Sequence, residues 1–381
     1  MKTRASVEFI FLVVQKINVL QFAEITATVT QAAREAGFDL AGIAPVEDSP
    51  ELEYFPQWIA EGHAGEMKYL EGRDEQGRLK RASLAHVAPW ARSVVVCAIN
   101  YNTAQTYSTQ VPNHSSDSQG RGWISRYAWS GRDYHDSVMQ RLRRVELAMR
   151  NGSCASDLIT RCYVDTGPIV ERVAAKYAGI GWIGKNTCII NQRLGSWLFL
   201  GIILTSLELE ASLTAPDRCG SCTRCIDACP TDALIAPYQL DSNKCIAYLT
   251  IEKRGTIAEE LRHGMGRHIF GCDICQDVCP WNRRAPATDA EEFQPRPELV
   301  SPALDWLAEM NAEEFRSAFR DSPLRRAKRS GLRRNAVISM GNSGDQKFLP
   351  LLEKLAEDED QVVAESAIWA KKRLRQPAKS G

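Results

Sequence analysis

The chain has 381 residues, 44% hydrophobic and 25% charged, with 47 Lys and Arg against 47 Asp and Glu. That length suggests two or three domains of ordinary soluble composition. A net charge of +0 excludes a whole-molecule field that would attract nucleic acid or a membrane, so any such partner must meet a local patch.

Residues 1–21 read as an N-terminal extension. Lys2 and Arg4 before the apolar run Phe9–Val14 imitate a signal peptide. Glu8 precedes that run, Gln15 and Lys16 end it, and no small-residue cleavage site follows. The longest later apolar stretch, Trp197–Leu204, is far short of the ~20 residues a membrane helix needs. The expectation is a cytoplasmic protein with no membrane contact.

Residues 22–215 have a mixed α/β pattern. Ser93–Tyr101 is a β-branched apolar run and predicts a buried strand. Residues 103–122, rich in Thr, Ser, Gln and Asn, predict a surface loop. Tyr134–Arg150 carries Val138, Leu142, Val145 and Met149 at helical spacing. Cys162–Asp165 predicts a short strand, with Pro168 opening a helix that Gly179 closes. Thr187–Asn191 and Ser196–Ser206 predict two strands around a turn at Arg193–Gly195.

Residues 216–290 form a cysteine-rich insert. Pro295–Pro302 marks a linker, and residues 291–381 are otherwise helical. Within them, residues 328–375 resemble one helix pair of the HEAT type. A single such unit cannot bury its own apolar face, so it must pack on the chain before it.

The insert carries the chemistry. The chain has 12 cysteines, and those from Cys219 to Cys279 cluster too tightly for a disulfide framework, which belongs to small secreted domains. Cys219-x2-Cys222-x2-Cys225-x3-Cys229-Pro230 is the bacterial ferredoxin run. Three thiolates of one tight loop take three corners of a cubane, and the fourth ligates a second cluster. A partial copy follows at Cys272, Cys275 and Cys279-Pro280, with Ile269 where its first cysteine would stand. Cys245, between the runs, can supply the missing ligand. One [4Fe–4S] cluster then takes Cys219, Cys222, Cys225 and Cys279; the other takes Cys229, Cys245, Cys272 and Cys275. Zinc knuckles would use paired Cys-x2-Cys motifs without the Cys-Pro endings. Cys97 and Cys162 read as small buried hydrophobes on strands; Cys188, after a polar loop, carries no assignment.

Other motifs are ambiguous. Gly179-x-Gly181-x-x-Gly184 matches a dinucleotide fingerprint, but a helix precedes it and a strand follows, the reverse of what that motif requires. Its glycines instead cap the helix and let backbone approach something large. Asp133-Tyr-His135 starts a corrinoid-type histidine motif, but Val138 replaces the required glycine, so His135 reads as an ordinary helix-start residue. Asp165, at the mouth of the sheet, is a general acid if burial raises its pKa, or a helix N-cap. Lys185-Asn186-Thr187 is a surface turn or a polar rim around a cofactor. Arg325, Arg326, Lys328, Arg329, Arg333 and Arg334, with Lys371, Lys372, Arg373 and Arg375, form two basic runs that suggest a phosphate-backbone surface.

Taken together, Arg126-Tyr-Ala-Trp129, Gly131-Arg-Asp-Tyr134, Val164-Asp-Thr-Gly167, Gly179–Thr187, the eight cysteines and the helical tail resemble the epoxyqueuosine reductase family over residues 22–380. The resemblance implies an α+β multidomain architecture. Its parts are a nitroreductase-like, corrinoid-processing α/β domain, a dicluster ferredoxin-like domain and a HEAT-like helical region that meets tRNA. It implies base-off cobalamin beside one cluster, with Arg126, Tyr127, Asp165, Lys185, Asn186 and Thr187 around the corrin and Asp165 as proton donor. The implied reaction reduces epoxyqueuosine to queuosine at the wobble position of tRNA, in a monomer fed by an external low-potential electron donor. A cobalamin-dependent reductive dehalogenase and a dicluster electron carrier are the alternatives. The first normally carries a twin-arginine export signal and lacks a basic tail; the second has no need of so long an α/β domain.

Overall fold

The computed structural model describes residues 22–111, 120–152 and 157–376. The expected N-terminal extension, Cys154 and the middle of the 103–122 loop lie outside the described residues.

The central sheet runs in the order β1 (Leu40–Pro45), β2 (Ser93–Asn100), β7 (Leu198–Thr205) and β4 (Thr160–Tyr163). All three pairings are antiparallel, which corrects the expectation of an α/β sheet. The source of the misreading is physical. β2 is buried along its whole length, because helices cover both faces, so it reads as a continuous apolar run like a parallel strand. Val138, Leu142, Val145 and Met149 of the helix Tyr134–Gly152 pack on Val95, Cys97 and Ile203. Ala174 and Ala175 of the helix Glu171–Tyr177 pack on Val94, Val96 and Ile202 from the other side. Alternate residues of one strand thus serve two cores. Cys97 is wholly buried there, as its sequence context implied.

Two further expectations change. The second helix starts at Glu171, not Pro168, so Asp165 is not its cap. Residues 164–170 form a loop instead, turned by the left-handed backbone of Asp165 at φ 56°. Arg81 Nη2 donates to the Gly167 carbonyl at 2.7 Å, and the Glu171 carboxylate accepts the Asp165 N–H at 2.7 Å. Residues 189–190 form β6, which pairs back onto β5 (Trp182–Ile183) rather than forward onto β7. Only the Asn191–Gly195 bridge leads on to β7. The glycine motif lies between helix and strand as its order implied. What its glycines admit is the chain itself: a Cβ on Gly181 would meet the Ile190 carbonyl oxygen at 2.3 Å, and one on Gly179 the Leu213 oxygen at 2.5 Å.

The second half is stitched to the first. β3 (Trp123–Ile124) pairs in parallel with β8 (His268–Phe270) of the cysteine-rich region. Around this pair one apolar core runs from Trp123, Trp129 and Phe270 through Leu304 and Phe319 to Leu332, Val337 and Leu374. The tail helices Lys328–Ser343, Leu349–Leu355 and Gln361–Arg375 therefore bury their apolar face on the preceding chain. The basic runs are correspondingly reduced. Arg334 is 1% exposed and donates to the carbonyls of Leu249, Lys253 and Gly255. Arg333 is buried against Asp358 at 2.5 Å. Neither belongs to a phosphate-facing surface; Arg325 and Lys328 stay exposed.

Candidate redox centre and active site

The ferredoxin spacing is realised as two short helices, Arg224–Asp227 and Ile274–Asp277, each rising from a Cys-x2-Cys loop. The eight thiols fall into two neighbourhoods. Burial and the adjacent Cys219 and Cys222 raise the Cys225 thiol; burial with Cys219 and Cys225 pushes Cys279 up to about 11. In the other group, burial with Cys229 beside it raises Cys245, and burial with Cys245 and Cys229 raises Cys272. Cys275 is raised first by the Cys188 thiol, then by burial, Cys272 and Cys245. Protonated thiols of this kind bind iron only by giving up the proton. Among the described residues, no three His, Cys, Asp or Glu side chains close around one ion centre. A cubane offers four separate iron corners, which suits thiols held further apart. Cys219, Cys222 and Cys225 lie on an exposed loop, with Ser221, Thr223 and Arg224 open to solvent; Cys279 of the same set is buried, and Cys245, Cys272 and Cys275, of the inner set, are half-buried.

The residues expected around a cofactor instead brace these loops. Lys185 Nζ donates to the carbonyls of Gly220 and Cys222 at 2.7 and 3.0 Å. Asn186, 4% exposed, donates to the Cys275 carbonyl at 3.2 Å. Thr187, with φ 63°, presents its carbonyl to Arg172 Nη1 at 2.9 Å. Arg126 is corrected more sharply. Its guanidinium is buried and donates to Thr103, Gln105 and Thr106, under the rings of Tyr107, Trp129 and Trp197. Its role is internal: a desolvated cation whose two Nη atoms bond to carbonyls and the Thr103 hydroxyl and whose plane meets aromatic faces, while its Nε has no partner among the described residues.

Tyr127 is different. Its ring packs on Tyr134 and Phe270, and its hydroxyl makes no hydrogen bond among the described residues. After burial, the charges that most raise its pKa are Asp165 and Asp273, the residue next to Cys272. Tyr127 thus stands between the Asp165 loop and the inner thiols. The free Tyr127 hydroxyl and the exposed Asp165 carboxylate suit the polar edge of a bound macrocycle, whereas the Arg126, Lys185 and Asn186 side chains bond within the protein.

Asp165 sits at the centre of a polar group that sequence patterns did not assemble. Tyr134 Oη donates to Asp165 Oδ2 at 3.1 Å, and His135 Nε2 lies 3.8 Å from the same oxygen. His135 Nδ1 contacts Asp133 Oδ1 at 2.6 Å. Burial is the largest single influence on Asp165 and acts to raise its pKa, but His135, Tyr134 and Arg172 together outweigh it and hold it below the usual range. This reverses the expectation that burial raises it. Burial and the adjacent Asp165 push Glu171 up to about 8. Burial lowers His135, but Asp133 and Asp165 win and push it up to about 9. His135 is therefore not an ordinary helix-start residue. The signal stood one position beyond Gly131-Arg-Asp-Tyr134, but nothing local links it to Asp165, thirty residues on. Cys188, beside Cys275, was equally out of reach.

Eight thiols in two sets, beside a carboxylate ringed by an imidazole and a phenol, define an iron–sulfur oxidoreductase. A family profile described as "4Fe-4S double cluster binding domain" matches residues 218–282, and one described as "Epoxyqueuosine reductase QueG, DUF1730" matches residues 81–166. The epoxyqueuosine reductase of Xanthomonas campestris is 38% identical over 91% of this chain and 95% of its own length. That of Gloeobacter violaceus is 41% identical over 85% and 98%. The chain belongs to the epoxyqueuosine reductase family. Among solved structures, an epoxyqueuosine reductase with an epoxyqueuosine-modified tRNA-Tyr stem loop superposes with TM-score 0.82 at 30% identity, covering 93% of this chain and 91% of that one. A Bacillus subtilis relative, with its catalytic aspartate loop swung out of the active site, superposes at 0.81 and 29% identity over 93% and 91%. No helix among the described residues is long and apolar enough to cross a membrane.

Proposed function

We propose that this protein reduces epoxyqueuosine to queuosine at the wobble position of tRNA, with Asp165 donating a proton to the departing epoxide oxygen. The observation that carries the reading is that one chain holds both Asp165, open to solvent and hydrogen-bonded by Tyr134, and two sets of four thiols, with Tyr127 feeling both Asp165 and the Asp273 that adjoins Cys272. The family supports the substrate. The modified base belongs to an anticodon loop, whose unpaired bases can be splayed into a site.

Cys219, Cys222, Cys225 and Cys279 hold the outer [4Fe–4S] cluster, and Cys229, Cys245, Cys272 and Cys275 the inner one. Loaded clusters would supply single-electron relay from an external low-potential donor, with the exposed Cys219–Cys225 loop as the accessible side. Base-off cobalamin would lie between Tyr127 with Asp165 and the Asn186–Thr187 loop, supplying the strongly reducing centre that the reaction needs. Tyr134 and Glu171 hold the Asp165 loop, and Arg172 ties it to Thr187. We further propose a division into a catalytic part over 22–215, a cluster part over 216–290 and a HEAT-like tRNA-binding part over 291–381. The protein works as a monomer in the reducing cytoplasm, where thiols stay available for iron.

Asp165→Asn tests the site. The reconstituted variant should keep its cluster absorbance and RNA affinity while nucleoside mass analysis shows turnover reduced by roughly 100-fold or more. Full turnover would remove Asp165 from the chemistry.

A further inference from the structure

Asp165 can carry one proton, and the reaction read above consumes two. Removing an epoxide oxygen breaks both C–O bonds, forms one C=C bond and releases water. The balance is two electrons, relayed singly through the clusters, and two protons. A carboxylate held ionised by its neighbours must also be loaded before it can donate.

We propose that His135, held by Asp133 and aimed at Asp165, is the second proton donor of this active site. The inference rests on the functional reading just given. Its basis is a row of three side chains. Asp133 Oδ1 takes both the His135 backbone N–H at 3.0 Å and the ring Nδ1 at 2.6 Å, which fixes the imidazole plane. The ring stacks on Tyr134 at 4.1 Å, and Tyr134 stacks on Phe199 at 4.3 Å, so rotation is blocked. Nε2 is left facing Asp165 Oδ2 at 3.8 Å, the same oxygen that Tyr134 Oη bonds. Asp133 and Asp165 are the charged groups that face His135; Tyr134, Glu171 and Arg172 stand one contact further, around Asp165. Both acidic partners favour the imidazolium, so the proton is stored at neutral pH and is passed to Asp165 or to the leaving oxygen. His135 is afterwards recharged from solvent, to which it is 32% open. Glu171 also holds a proton near neutrality, but its recorded contact is with the Asp165 backbone N–H. It orients the loop and does not meet the carboxylate.

The test uses the full reconstituted chain, pre-reduced, with an epoxyqueuosine-containing RNA stem loop, in single-turnover reactions from pH 6 to 10. The wild-type rate should stay flat through neutrality and fall above about pH 9. His135→Gln should lower the rate at pH 8 by roughly 100-fold while RNA affinity stays within about twofold. Asp133→Asn should move the alkaline fall toward the ordinary histidine value of about 6.5. Independently of turnover, NMR of labelled imidazoles should show one of the 6 histidines titrating near 9, its signal lost in His135→Gln. An active wild type with an unaffected His135→Gln, or a His135 signal titrating near 6.5, overturns the proposal. A correctly loaded wild type that leaves the RNA unchanged removes the functional reading instead.

Discussion

Arg334 donates to three backbone carbonyls from the segment 249–255 and to the Asn335 side chain, with almost no solvent contact. Burial draws its pKa down to about 10, still well above neutrality, so the cation persists. Truncating it strands those carbonyls in a water-free seam. Arg334→Ala should cost about 3 kcal/mol and lower the denaturant midpoint, whereas exposed Arg325→Ala should stay within about 0.5 kcal/mol. His135 makes a prediction in the pH domain. Its folded pKa of about 9 exceeds the ordinary 6.5, so the folded state holds the proton more tightly. The resulting stabilisation is complete below about pH 6.5 and vanishes as pH rises through about 9. Wild type should therefore outlast Asp133→Asn in urea at pH 6 and lose that advantage by pH 10.

Among the elements, the β5–β6 hairpin and the loop inside it have the widest reach. One short segment touches the outer thiol loop through Lys185, the inner one through Asn186, and the Asp165 neighbourhood through Thr187 and Arg172. Hydrogen bonds from a charged donor contribute about 1.5–3 kcal/mol each. Lys185→Ala should loosen the Gly220–Cys222 turn, so iron should be lost to a chelator roughly tenfold faster from the outer cluster. Equal rates for variant and wild type would show that the turn holds itself.

Across the whole molecule, the antiparallel sheet, the thiol loops and the helical tail share cores instead of standing as beads. The Trp123–Phe270–Leu304 core joins residues from all three chain regions. With Arg333 and Arg334 turned inward, Arg325 and Lys328 are among the basic residues still exposed, and the proposed RNA contact would fall on them. Charge reversal at both should weaken tRNA binding and reduce the salt slope by about 0.7 per lost phosphate contact, without altering cluster spectra.

Some features were legible along the chain because their physics is local. Ligand loops need fixed cysteine intervals, a helix shows its apolar face every three to four residues, and a glycine motif in the wrong order cannot be a dinucleotide site. From these the double-cluster cysteine pattern, the long helix Tyr134–Gly152 and the dependent tail followed directly. Strand direction was not local: β2, covered on both sides, has the composition of a parallel strand, and only its partners show otherwise. Nor was the fate of charge. Arg126 reads in sequence as a cofactor contact and Arg334 as part of a basic surface, and tertiary packing buries both. The meeting of Asp133, His135 and Asp165 needed a long helix and a left-handed turn to bring distant residues within one imidazole's reach, a distance in space that no spacing in sequence encodes.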